Sequence, residues 1–164
     1  MGVVGAGKTT VGSLVAQKLG WQFVDADNFH SPANVEKISH GIALTDTDRA
    51  PWLAALHDYI LKCNAEAKNL VMACSALKQT YRDQLTEPGV RFVYLEGNYE
   101  LIRERLHSRR GHFATESILK SQLADLEKPA DAITVRIDQT PEAIAREIMR
   151  DLKLPLAYPD AAQK

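Results

Sequence analysis

The chain has 164 residues, 45% of them hydrophobic and 25% charged, which is enough for one well-buried α/β domain and too little for two of ordinary size. Its formal net charge of −1 gives no electrostatic reason to expect nucleic acid or an anionic membrane as a partner, and a small neutral or anionic ligand fits better. No stretch approaches the roughly 20 apolar residues of a membrane span and no basic-then-apolar leader opens the chain. The two cysteines, Cys63 and Cys74, sit in apolar settings without a second pair, so buried free thiols and the cytoplasm are expected.

The first element is a loop. Gly2-Val3-Val4-Gly5-Ala6-Gly7-Lys8-Thr9 places a glycine, four residues and then Gly-Lys-Thr ahead of a helical run. Glycines let successive backbone N–H groups turn inward around phosphate oxygens, and the following helix points its positive N-terminal end at the same charge. Gly2, Gly5, Ala6, Gly7 and Thr10 are therefore expected around the phosphates of ATP. Lys8 should reach the β- and γ-phosphates, and the Thr9 hydroxyl should help to hold Mg²⁺. Such a loop normally follows a buried parallel strand, yet only Met1 precedes it here. Either a start upstream of Met1 or a shortened form without the first strand is expected.

Beyond the loop, strand-like apolar runs alternate with amphipathic helical runs, the pattern of parallel strands covered by helices. A helix is predicted from Lys8 to Leu19, stopped by Gly20, and a short strand from Gln22 to Val24. Ser31 and Pro32 read as the cap and first position of a helix ending near Gly41, and Pro51 as the opening of another. In the latter, Trp52, Leu53, Leu56, Tyr59, Ile60 and Cys63 form a core-facing stripe. Leu70 to Ala73, Arg91 to Leu95 and Ile133 to Ile137 read as buried strands. Thr140 and Pro141 open a terminal helix, and the tail from 155 to 164 is expected to fray.

Asp25 and Asp27 close the first strand at its carboxyl end, where open parallel sheets place their ligands. Asp25 is positioned to bind Mg²⁺ through water, and Asp27 to take a proton from an attacking hydroxyl. Arg49, Lys78 and Arg82 are candidates to hold a carboxylate, while His30, Ser75, His112 and Gln122 offer the mixed donors and acceptors that hydroxyls need. Arg103, Arg105, Arg109 and Arg110 crowd one helix end before Gly111, a concentration of like charge that bound anions relieve. Arg109, and second to it Arg105, is the candidate to close on the transferring phosphate.

The segment from Asp25 to Lys37, continuing through Gly41, Leu44, Asp46 and Asp48 to Leu53, closely resembles the gluconate kinase family. Cys74 to Lys78 with Tyr81, Arg82 and Asp83 is similar to that family's motif after its third strand. Arg109 to Phe113 with Ser121, Gln122, Leu126, Glu127 and Pro129 is similar to its lid and following helix. Together these blocks cover the chain from Gly2 to about Ile148. Ala26, Ser31 and the pair Gln79-Thr80 depart from the family pattern without removing a proposed catalytic group.

The resemblance implies a phosphate-loop kinase fold, a three-layer α/β sandwich with a parallel sheet between helices and an arginine-bearing lid at about 107–116. One domain over 1–154 is expected. It further implies a homodimer that transfers the γ-phosphoryl group of ATP to D-gluconate, with Lys8, Asp27 and Arg109 as the catalytic residues. Two rivals stay open: another small-acceptor kinase, such as one for shikimate, and an inactive nucleotide-binding form lacking the first strand.

Overall fold

The computed structural model describes residues 1–108 and 116–154. Positions 109–115 of the expected lid, with Arg109 and His112, and the expected tail at 155–164 lie outside the described residues.

Helix α1 runs Lys8–Leu19 and buries Val11, Val15, Ala16 and Leu19 on one face. Gly20 ends it in the left-handed conformation at φ 67°, its N–H donating to the Ala16 and Gln17 carbonyls. Strand β1, Gln22–Asp25, leads into a 3-10 turn at Ala26–Phe29, capped by Asp25. Helix α2, Pro32–Ser39, starts as expected, with the Ser31 side chain accepting from the Asn34 N–H and proline at the first position.

Helix α3 spans Asp46–Ala65, so Pro51 lies inside it and does not open it. Thr45 and Asp48 form a reciprocal capping box that satisfies free N–H groups at both positions. Those bonds set the start one turn earlier and offset the ladder bond that Pro51 cannot donate. The remaining elements are β2 at Leu70–Ala73, α4 at Gln79–Leu85, β3 at Val93–Glu96, α5 at Tyr99–Ser108, α6 at Glu116–Asp125, β4 at Ile133–Arg136 and α7 at Pro141–Asp151. Strand β3 thus begins two residues later than its apolar run.

All strand pairing is parallel. Gln22 to Asp25 lie opposite Leu70 to Ala73, and Val93 to Glu96 lie opposite Ile133 to Arg136. Among the described residues this makes two two-stranded halves, β1-β2 and β3-β4. Met1 meets β3, its amino nitrogen donating to the Val93 carbonyl and its own carbonyl accepting from the Leu95 N–H.

Two apolar clusters flank this split layer. One joins α1 and α7 through Val11, Val15, Leu19, Ile144 and Ile148, and the other joins α3 and α4 through Trp52, Leu53, Leu56, Tyr81 and Leu85. In the stripe starting at Trp52, Trp52, Leu53, Leu56, Ile60 and Cys63 are buried, while Tyr59 is half-buried and accepts from the Gln22 side chain. Cys63 and Cys74 are free and buried, and burial pushes the Cys74 thiol up to about 11. Among the described residues no helix is long and apolar enough to cross a membrane.

Candidate active site

The phosphate loop depends on backbone that only glycine adopts freely. Gly5 and Gly7 take φ of 80° and 94°, and Gly7 is the N-cap of α1. A Cβ on Gly5 would also press on Ile102 and Leu106 of α5 at 3.0 to 3.2 Å. Ala6 is fully buried beneath the loop. The Gly2 N–H donates to the Ser75 carbonyl over 3.2 Å, which joins the loop to the segment after β2. From α6, Gln122 accepts from the Val4 N–H over 2.6 Å. The Lys8 ammonium curls back onto the Val3 carbonyl at 3.0 Å, and Thr10 lies exposed on the first turn of α1.

At the mouth of this loop the Thr9 hydroxyl donates to Asp25 Oδ2 over 2.7 Å, while Asp25 Oδ1 accepts from the Asp27 N–H over 3.1 Å. One carboxylate thus links the helix N-terminus, the end of β1 and the turn that carries Asp27. Among the described residues no group of three His, Cys, Asp or Glu side chains could hold a metal. The donor set at Thr9 and Asp25, a hydroxyl and a carboxylate, suits Mg²⁺, which keeps several waters and takes further oxygens from phosphates.

Asp27 is exposed, and beside it His30 stacks on Trp52 with ring centroids 4.7 Å apart and planes 13° from parallel. Trp52 is held in turn by its indole N–H, which donates to the Ala26 carbonyl over 2.8 Å. His30 Nδ1 is buried and has no hydrogen-bond partner among the described residues. Burial lowers the His30 pKa; Asp27 opposes that shift and Arg49 reinforces it.

A charged cluster lies near this turn. Lys78 Nζ donates to both oxygens of Asp46, at 2.8 and 3.0 Å, and the Tyr81 hydroxyl donates to Asp46 as well. Arg49 donates to the Tyr81 oxygen over 3.1 Å and sits between two carboxylates, 3.7 Å from Asp46 and 3.6 Å from Asp125. Both cations also lie over the Tyr81 ring. The hydrogen bond from Lys78 holds the Asp46 carboxyl below its usual range, and Asp46 raises Lys78 in return. Three elements therefore converge to hold one carboxylate: the start of α3, the segment after β2, and α4.

Comparison with known proteins bears directly on this arrangement. A family model described as shikimate kinase matches residues 4–153. The chain is 44% identical to the gluconokinase of Gluconobacter oxydans, over 92% of this chain and 87% of that protein. It is 40% identical to the thermoresistant gluconokinase of Escherichia coli, over 93% and 91% respectively. A crystal structure of a gluconokinase from Sinorhizobium meliloti superposes with a TM-score of 0.84 at 41% identity, covering 93% of this chain and 89% of that one. The chain belongs to the gluconokinase family. Its fold is accordingly the phosphate-loop kinase sandwich, with helices on both sides of a parallel sheet.

Within that family frame, most of the sequence candidates fall into two groups. Gly2, Gly5, Ala6, Gly7, Lys8, Thr9, Asp25 and Gln122 gather at the loop, while Arg49 and Lys78 gather around Asp46. Ser75 is half-buried and meets the loop through its carbonyl. Arg105 donates to the Ile137 carbonyl at the end of β4. Arg82 differs from its expected place on the acceptor carboxylate. It is 1% exposed and donates to the carbonyls of Ala76 and Leu77 at 3.0 and 2.9 Å, and to the Gln79 side chain. A guanidinium with many fixed donors is suited to that use, and here it holds the turn that presents Lys78.

Asp46, Tyr81 and Asp125 join the cluster without having been singled out from the sequence. Asp46 and Tyr81 stand inside the family-like blocks, but nothing about Asp125 marks it except its place beside Leu126 and Glu127.

Proposed function

We propose that the chain transfers the γ-phosphoryl group of ATP to the primary hydroxyl of D-gluconate, releasing ADP and 6-phosphogluconate. Supporting this above all is the juxtaposition of a complete phosphate loop with a cationic cluster, Lys78 and Arg49, already gripping a carboxylate. An anionic polyhydroxy acid suits such a cluster, and the kinases similar to this chain are named for gluconate.

In this reading Lys8 turns from the Val3 carbonyl to the β- and γ-phosphates, and loop N–H groups surround their oxygens. Thr9 and Asp25 hold Mg²⁺, which offsets phosphate charge when bound. Asp27 accepts the proton of the attacking hydroxyl as the new oxygen–phosphorus bond forms and the bond to the ADP oxygen breaks. Arg105 and Arg109 neutralise charge on the moving group, a role worth about 10³ to 10⁵ in rate in other phosphoryl transfers. Lys78 and Arg49 take the gluconate carboxylate, and His30, Ser75, His112 and Gln122 face its hydroxyls. Arg82 supports Lys78 from behind. The same reading places a homodimer in the cytoplasm.

The test is ADP release by the purified chain with Mg²⁺ and ATP, with D-gluconate, with shikimate and without acceptor. Release that depends on gluconate is expected. Release with shikimate alone would move the chain to the rival acceptor class, and nucleotide binding with no acceptor-dependent release would make it an inactive form.

A further inference from the structure

Lys78 stands where a helix ordinarily carries a small acceptor side chain. It is the N-cap of α4, extended at φ −89° and ψ 150°, and its side chain makes no capping hydrogen bond. Residues preferred at such a position accept from free N–H groups of the first turn, which an ammonium cannot do. Two residues earlier, Ala76 is 1% exposed and takes φ of 43°. A residue other than glycine keeps that left-handed conformation only when its surroundings hold it there.

Glu127, just beyond α6 and 48 positions along the chain from Gln79, grips the backbone on both sides of Lys78. Its N–H donates to the Leu77 carbonyl over 3.0 Å, and its Oε2 accepts from the Gln79 N–H over 2.5 Å. Each of the two peptide groups that flank the Lys78 Cα thus makes one hydrogen bond with the same residue. A carboxylate on the first free N–H of α4 also replaces the missing cap and suits the positive end of the helix. From the other side, Arg82 donates to the Ala76 carbonyl and shares the Leu77 carbonyl with Glu127. The Lys78 backbone is held from two directions while its side chain extends to Asp46.

The same stretch of chain meets the rest of the site. Two residues before Glu127, Asp125 lies 3.6 Å from Arg49, and three residues earlier still Gln122 accepts from the Val4 N–H of the phosphate loop over 2.6 Å. Leu119, fully buried, anchors α6 in the core that includes Ile102 and Val135. The segment 122–127 therefore reaches from the phosphate loop to both acceptor cations.

We propose that Glu127 is a positioning residue for the acceptor site, acting through Lys78: it sets the place of the Lys78 ammonium relative to the phosphate loop, to which Gln122 ties the same segment. The inference rests on the reading of Lys78 as the cation that takes the acceptor carboxylate. Transfer needs the attacking hydroxyl in line with phosphorus, and a displacement of about 1 Å can lower the rate about 10²-fold. An acceptor anchored by its carboxylate passes any shift of Lys78 on to its reacting hydroxyl.

The experiment is a double-mutant cycle. Steady-state kinetics with ATP and D-gluconate are measured for the unaltered chain, Glu127→Ala, Lys78→Met and the double variant, with Glu127→Gln beside them. Glu127→Ala should raise KM for gluconate and lower kcat, each by about 5–20-fold, with KM for ATP within about twofold. In the Lys78→Met background the same replacement should change neither gluconate constant by more than about twofold, because the group it positions is gone. Glu127→Gln keeps a side-chain oxygen for the Gln79 N–H and should recover most of the loss. Equal losses in the two backgrounds would overturn the proposal, as would undiminished turnover in Glu127→Ala. Amide hydrogen exchange at Gln79 reads the clamp without turnover: it should speed up at least about tenfold in Glu127→Ala, and unchanged exchange would also overturn the proposal. If the unaltered chain shows no gluconate-dependent turnover, the assigned reaction fails, and exchange at Gln79 still decides whether Glu127 holds the Lys78 backbone.

Discussion

Thr9 and Asp25 are 16 positions apart in the chain and share a 2.7 Å hydrogen bond that closes the mouth of the phosphate loop. A hydroxyl and a carboxylate held together in this way are pre-positioned oxygens for a hard cation. Replacing Thr9→Val or Asp25→Asn should raise the Mg²⁺ concentration for half-maximal turnover by about 10–100-fold, and Thr9→Ser should largely preserve it. Magnesium titrations of turnover at saturating ATP check this, and an unchanged midpoint in both variants would remove the pair from the metal site.

Asp27 hangs from the same carboxylate through its backbone N–H. If it takes the acceptor proton, Asp27→Asn should lower kcat by about 10²–10⁴ while ATP affinity stays within about twofold. Binding titrations beside turnover measurements separate the two effects. Turnover at the original level would refute the role.

Lys78 spends its charge on Asp46 when no acceptor is bound. An acidic acceptor must take over that cation, so Lys78→Met should raise KM for gluconate by about tenfold or more with a smaller change in kcat. Asp46→Asn should act in the opposite direction on KM, because an internal competitor has lost its charge. Neither change should matter as much for an uncharged polyol, and steady-state kinetics with both acceptors decide the point.

Arg82 makes a contrasting case. Its guanidinium lies on the Ala76 and Leu77 carbonyls, away from solvent. Arg82→Met should destabilise the fold by about 1–3 kcal/mol for each carbonyl left unpaired, seen in denaturant unfolding. A direct acceptor ligand would instead show a raised KM at unchanged stability.

His30 ties stability to pH. Its folded-state pKa is lowered, chiefly by burial against Trp52, from the 6.5 of a free histidine. The unfolded chain therefore binds this proton first as pH falls. The contribution of His30 is fully present above about 6.5 and is lost as pH drops through the folded-state value. Thermal melts from pH 7.5 to 5.5 should show a declining Tm that is shallower in His30→Gln. Parallel slopes would show that His30 does not carry the effect.

The features legible in the chain were the local ones. The phosphate loop occupies eight consecutive residues, and its chemistry lies in backbone conformation and one helix end, so spacing alone exposes it. Helix caps at Ser31 and Thr140 are equally local. The misplaced start of α3 shows the limit of that approach, since proline drew attention while the competing box of Thr45 and Asp48 lay one turn upstream.

By itself, the sequence determined that this chain is a phosphate-loop protein with a carboxylate at the end of its first strand, and that it resembles one kinase family along nearly its whole length. Only the tertiary structure decided which charges meet. Asp46, Arg49, Lys78 and Tyr81 come together because α3, α4 and the segment after β2 pack on one another, and Asp125 reaches Arg49 from the end of α6; no spacing in the chain encodes that convergence. It also decided that Arg82 faces inward and that the sheet is split around Met1. The inward turn of Arg82 follows from backbone carbonyls that must find partners once water is excluded, a requirement that acts on the folded chain.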